Sequence, residues 1–214
     1  MGRTMNTVVG LAAPGAAPLA QSPPRRRSAV PLIVPGWGDS GQHHWQTAWQ
    51  LRLGAERLRQ DDWVDPSPSS WVQGLQRAIA QVDRPVLLIA HSLGCITIAH
   101  WARTAPGVFL SRRLVRGALL VAPADVERAD TASALRDFAP IPMRALPFPA
   151  TVVASETDPY CSLIRATEMA RAWGAHLHCL GDAGHINAES GFCTWTEGLA
   201  LLQPLDGWPV ADSA

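Results

Sequence analysis

A chain of 214 residues and 23.0 kDa, 47% hydrophobic and 17% charged, holds enough apolar material for one packed core and too much for a disordered tail. Its 18 basic and 18 acidic residues cancel, so no net field points to nucleic acid or to an anionic membrane. Cys95, Cys161, Cys179 and Cys193 show no paired spacing, which argues against a disulfide framework or a zinc knuckle and for reduced thiols in the cytoplasm. No apolar run approaches the roughly 20 residues of a spanning helix.

Residues 1–29 carry four Arg, no acid and Pro14, Pro18, Pro23 and Pro24. They read as a low-complexity basic tail, expected to be disordered, ahead of a mildly acidic domain over residues 30–205 and a short C-terminal tail over 206–214. Pro14 and Gly15 interrupt the apolar stretch that a secretory signal would need. From residue 31 onward, short apolar runs alternate with amphipathic stretches. Strands are expected at 31–35 (PLIVP), 85–90 (PVLLIA), 117–122 (GALLVA) and 150–155 (ATVVAS), with weaker ones at 62–64 and 176–180. Helices are expected at 45–59, 70–82, 93–103, 163–173 and 191–202, where apolar residues recur at three- and four-residue spacing. Continuous apolar strands suit a sheet covered on both faces, and strict alternation with helices suits right-handed crossovers. The fold class is therefore α/β, a three-layer α/β/α sandwich on a mostly parallel sheet of about six strands. Residues 124–148 hold Pro140, Pro142 and Pro147 and read as a small flap, too short for a cap domain.

Active sites of such sheets lie at the carboxyl ends of the strands. After PVLLIA comes Ala90-His91-Ser92-Leu93-Gly94 and then an apolar helix, the strand, turn and helix context of a nucleophile elbow. A serine needs a base to become a nucleophile, and the base needs an orienting group. After ATVVAS comes Glu156-Thr157-Asp158, and after residues 176–180 comes Gly181-Asp182-Ala183-Gly184-His185. The chain order Ser92, Asp158, His185 is that of α/β-hydrolases. Glu156 and Asp182 compete with Asp158 for the acid role; Glu156 is too near its strand end, and Asp182 shares a loop with the histidine. Gly36-Trp37-Gly38-Asp39-Ser40-Gly41 follows the first strand, and the backbone N–H groups of Trp37 and Leu93 are placed to receive an oxyanion. That loop lacks the spacing and the lysine of a phosphate-binding sequence. Gly36, His91 and His43 are expected at the substrate pocket, with His91 packing or gating rather than acting as a second base. His176 and His178 have no third ligand at metal-binding spacing, so neither metal nor cofactor is implied. Of the nine Trp, Trp37 is expected at the site and most of the others in the core.

The stretches PGWGDSGQHHWQTAW (35–49), AHSLGC (90–95), ASETDPYCS (154–162) and GDAGHINAESGFCTWTEG (181–198) together resemble the small serine hydrolases of the retinoblastoma-binding protein 9 (YdeN-type) group, within the α/β-hydrolase fold. The resemblance implies a minimal hydrolase with no large lid, using Ser92 as nucleophile, Asp158 as acid and His185 as base. Ala90 stands where a general elbow has Gly, and Thr196 where the group usually has Pro; neither touches the triad. The activity expected is hydrolysis of esters, or of amides or short peptides, with small uncharged acyl groups as substrates. A catalytically idle protein-binding module is the alternative, and no protein partner can be named from the sequence.

Overall fold

The protein is described by a computed structural model covering Met1 and residues 28–206. The expectations for the basic tail and for residues 207–214 fall outside the described residues, apart from Met1, Ser28 and the buried Ala29.

Six strands form one sheet: β1 (Val30–Val34), β2 (Glu56–Arg57), β3 (Val86–His91), β4 (Val115–Val121), β5 (Ala150–Ala154) and β6 (His176–Cys179). Their spatial order is β2-β1-β3-β4-β5-β6, and every neighbouring pair is parallel. The connections carry α1 (Trp45–Leu53), α2 (Pro68–Gln81), α3 (Leu93–Trp101), α4 (Ala105–Leu114) and α5 (Leu163–Trp173), and the described chain ends in the short α6 (Gln203–Asp206).

Successive side chains of a strand point to opposite faces, and here both faces are buried. Leu32, Leu88, Ala90, Leu120 and Val152 pack with Trp71, Leu75, Trp101 and Trp173 of the helices on one side. Ile33, Leu87, Ile89, Val121 and Val153 pack with Trp45 and Trp49 of α1 and with Trp195 and Leu202 on the other. Double coverage explains why these strands read as unbroken apolar runs. Leu87, Leu88 and Ile89 are wholly buried, and side chains of this size contribute about 1.5–3 kcal/mol each when removed from water.

Local signals set the helix limits. Ser67, Thr104 and Ser162 cap α2, α4 and α5 by accepting from Ser70, Gly107 and Arg165 N–H, each supplying a partner for an orphan donor of the first turn. The helix expected over 45–59 stops at Leu53, where the chain turns left-handed at Gly54 (φ 59°), and the freed residues add β2 to the sheet edge. No strand forms at residues 62–64; Asp62 instead folds a turn, its carboxylate accepting from Val64 and Asp65 N–H. The helix expected over 191–202 is a 3₁₀ segment confined to Thr196–Leu202. In register, Val34 lies beside Ala90, His91 beside Val121 and Val121 beside Val153, so β1, β3, β4 and β5 end together along one edge.

Candidate active site

Ser92 sits between β3 and α3 with φ 53° and ψ −122°, a region that non-glycine residues seldom occupy. Its N–H bonds to the Val121 carbonyl of β4 at 3.0 Å, and its carbonyl accepts from Cys95 N–H at 3.0 Å. Two glycines make the turn possible by close approach. A Cβ on Gly94 would stand 2.5 Å from the Val34 carbonyl oxygen and 2.6 Å from that of Pro35; a Cβ on Gly36 would stand 2.9 Å from Ser92 Cβ. The elbow and the loop after β1 are therefore in direct backbone contact, as the small residues of the motif imply.

His185 lies in the loop after β6, and its Nδ1 is 2.9 Å from both carboxylate oxygens of Asp158 in the loop after β5. A carboxylate can only accept, so Nδ1 carries a proton and Nε2 is the ring nitrogen left to exchange one with a substrate or nucleophile. The Asp158 side chain is 2% exposed, and its Oδ1 also accepts from Tyr160 N–H at 2.8 Å. Glu156 and Asp182 are exposed, and Asp182 accepts instead from the Thr157 hydroxyl. Among the described residues no hydrogen bond joins the Ser92 hydroxyl to the imidazole; the two residues share the wall of one cavity.

Beside Ser92, the backbone N–H groups of Trp37 and Leu93 have no hydrogen-bond acceptor among the described residues, and that of Leu93 opens α3, where first-turn donors lack intrahelical partners. The loop that carries Trp37 is fastened from outside. Asp39 N–H donates to the Gly36 carbonyl, Gly38 N–H to that of Trp63, and the Trp37 indole to that of Val64. Arg57 of β2 donates to the Asp39 carboxylate at 2.5 Å and to the Ser40 carbonyl at 2.7 Å. Gln46 of α1, fully buried, donates to the carbonyls of Val34 and Ile89 and accepts from the Ser40 hydroxyl. Its amide thus ties the ends of β1 and β3 to the same loop.

The cavity has a volume of about 470 Å³. Gly36, Trp37, His91, Ser92, Tyr160 and His185 line it, together with residues of the segment 124–135.

Comparison with known proteins fits this geometry. The family model for serine hydrolases matches residues 31–204. The chain belongs to the serine hydrolase family. This serine hydrolase is similar to a protein described as YdeN-like from Pectobacterium atrosepticum, at 33% identity over 84% of this chain and 91% of that one, with a TM-score of 0.72. The ydeN gene product of Bacillus subtilis (20% identity, 83% and 98% covered, TM-score 0.63) and the esterase domain of a Rhodothermus marinus protein (15%, 85% and 89%, 0.59) share its fold. No curated protein matches the chain.

Of the residues singled out in the sequence, Gly36, Trp37, His91, Ser92 and His185 line one cavity, Asp158 is bonded to His185 Nδ1, and Leu93 follows Ser92 at the start of α3. His43 departs from expectation: it is exposed, interacts with the adjacent Gln42, and lies outside the cavity lining. The residue that turns inward is His44, because its Nδ1 caps α1 by accepting from Gln46 N–H. The flap also needs correction. Residues 124–135 border the cavity, but the proline-rich remainder does not, since Phe138, Ile141 and Phe148 are anchored in the core. Among the described residues Trp37 is the one tryptophan that lines the cavity.

Sequence reading missed Gln46, Arg57 and Tyr160, whose ring centroid lies 4.6 Å from that of His185. Gln46 left one signal, a polar residue between Trp45 and Trp49 on a face destined for burial. His44, His91 and His185 form a row, with ring centroids 4.8 Å apart at each step. Burial, with Arg57 and His185 nearby, lowers the His44 pKa from 6.5 to about 4. Burial likewise lowers that of His91 well below its ordinary value, so both rings are neutral at neutral pH. Among the described residues no group of three or more His, Cys, Asp or Glu is placed to hold a metal ion, and no helix is long and apolar enough to cross a membrane.

Proposed function

We propose that this serine hydrolase cleaves carboxylic esters through an acyl-enzyme on Ser92, with amides and short peptides as its second substrate class. The observation that carries the reading is the strained Ser92 sharing a cavity with His185, whose Nδ1 is bonded to the buried Asp158. In this reading Ser92 Oγ attacks the substrate carbonyl carbon while His185 Nε2 takes the hydroxyl proton. Asp158 holds the ring in the Nδ1–H tautomer and stabilises the imidazolium that forms. The oxyanion is received by the Trp37 and Leu93 N–H groups. The imidazolium then protonates the leaving oxygen as the C–O bond breaks, and the same imidazole deprotonates the water that releases the acid and regenerates Ser92. Water is the only co-reactant, so the reaction calls for no cofactor.

Of the carboxylates that border the cavity, Asp39, Asp125 and Asp130 are paired with Arg57, Arg165 and Arg128. Arg128, the one arginine among the described lining residues, is thus already engaged and offers no clamp for an acid group, which supports small uncharged acyl groups. The four ordered sequence motifs support a place beside the retinoblastoma-binding protein 9 hydrolases. The four unpaired cysteines suit a reducing cytoplasm, and we assign no nucleic-acid or membrane partner.

The test is hydrolysis of p-nitrophenyl acetate beside its anilide analogue. The expected result is a burst of p-nitrophenolate, slower turnover of the anilide, and only background release by Ser92→Ala. Undiminished turnover by Ser92→Ala, or none by the unaltered protein, would overturn the reading.

A further inference from the structure

His185 stands in backbone that does not hold its shape unaided. Gly184 before it has φ 52°, and Ile186 after it has φ 50°, a conformation in which a β-branched residue is rare because its Cβ crowds the backbone. Side chains clamp this segment. The Thr157 hydroxyl accepts from Gly184 N–H at 3.0 Å, the Ser190 hydroxyl accepts from His185 N–H at 3.1 Å, and the Trp45 indole donates to the Ile186 carbonyl at 2.8 Å. The fourth clamp is His91, whose Nε2 lies 2.9 Å from the His185 carbonyl oxygen. A carbonyl only accepts, so His91 carries its ring proton on Nε2.

His91 differs from the other three in its place in the chain. It is the last residue of β3 and immediately precedes Ser92. Its hydrogen bond therefore spans from the strand that presents the nucleophile to the main chain of the residue that presents the base, 94 positions away. His91 is buried, and the groups around it are the rings of His44, Trp45 and His185, with Arg57 and Asp39 acting on His44 from beyond.

We propose that His91 is a positioning residue: the bond from its Nε2–H to the His185 carbonyl sets the separation between Ser92 Oγ and His185 Nε2. This role rests on the reading of Ser92 and His185 as nucleophile and base. It requires a proton on Nε2, and in the neutral ring that burial favours the carbonyl acceptor selects that tautomer.

The competing reading is that His91 merely fills space between two rings, and two substitutions separate them. His91→Phe keeps an aromatic ring and loses the donor, whereas His91→Gln loses the ring and keeps an amide N–H that reaches the same carbonyl. The readout is the rate of labelling of the full chain by a fluorophosphonate probe at neutral pH. Positioning requires His91→Phe to label on the order of 10- to 100-fold more slowly than the unaltered protein, with His91→Gln recovering most of the rate. Labelling of His91→Phe as fast as or faster than His91→Gln would overturn the role. Failure of the unaltered protein to take the probe would instead overturn the reading beneath it. Should a variant not fold, the ¹⁵N spectrum of the unaltered imidazoles decides: a proton on His91 Nε2 across the neutral range supports the bond, and a ring protonated at Nδ1 alone overturns it.

Discussion

The residue to which the chemistry is assigned carries backbone strain, as do Asp39, Ala122, Ile186 and Trp195 with their positive φ. Ser92 holds a positive φ that a glycine would occupy at little cost, and residues held in such regions cost of order 1–3 kcal/mol. Ser92→Gly is therefore expected to stabilise the fold by about 1–2 kcal/mol while removing all labelling by an activity probe; thermal denaturation beside probe labelling checks both halves. The reverse holds two residues along. A Cβ at position 94 would meet the Val34 and Pro35 carbonyl oxygens at 2.5 and 2.6 Å, both of them backbone atoms that cannot swing aside. Gly94→Ala is expected to destabilise by about 1–3 kcal/mol, as overpacking does, with a matching fall in the denaturant midpoint.

The cavity wall after β4 is held by an ion cluster between elements. Arg165 of α5 pairs with Asp125 at 3.5 Å, with Glu127, and with Glu168 at 3.0 Å, and Glu127 in turn accepts from Ile141 N–H at 2.8 Å. These contacts tie the loop after β4 to the helix that follows the Asp158 loop. The pairs are partly exposed, which limits their worth to about 1 kcal/mol. Arg165→Met is accordingly expected to raise KM for p-nitrophenyl acetate several-fold with kcat nearly unchanged, which steady-state kinetics would resolve. Such cross-element pairings are what sequence could not supply. Strands β1, β3, β4 and β5 and the helices Pro68–Gln81, Leu93–Trp101 and Leu163–Trp173 were legible because their apolar spacing is unbroken, whereas β6, with His176 and His178 interrupting it, left only a weak signal. Ala105–Leu114 was missed because Pro106, Gly107 and a polar C-terminal half obscure its periodicity, and its start depends on the Thr104 cap. Ser92, Asp158 and His185 could be picked out as candidates because each follows a strand. The supports could not, because Gln46 and Arg57 act through carbonyls and carboxylates brought close only by folding.

Over the whole molecule, the row of buried imidazoles couples stability to pH. Folded His44 binds its proton far less readily than the unfolded chain, with a pKa of about 4 against 6.5, and His91 shifts in the same direction. Between those values the unfolded state takes up more protons, so stability is full above about pH 6.5 and is lost as pH falls toward 4. For His44 alone the loss amounts to about 3 kcal/mol. Melting temperature is expected to fall between pH 7 and pH 5, and less steeply in His44→Asn, which keeps an acceptor for the α1 cap but does not titrate there. The loops after β3 and β6 bring Ser92 and His185 to one cavity, with Asp158 of the loop after β5 bonded to His185 Nδ1, and the proposed function requires the three to act together. Intact-mass analysis after fluorophosphonate treatment at neutral pH tests it most directly. The account requires one adduct per chain, mapped to the Ser92 peptide and absent from Ser92→Ala and His185→Ala, whereas a folded, unaltered protein that takes no probe, or one labelled equally without His185, would contradict it.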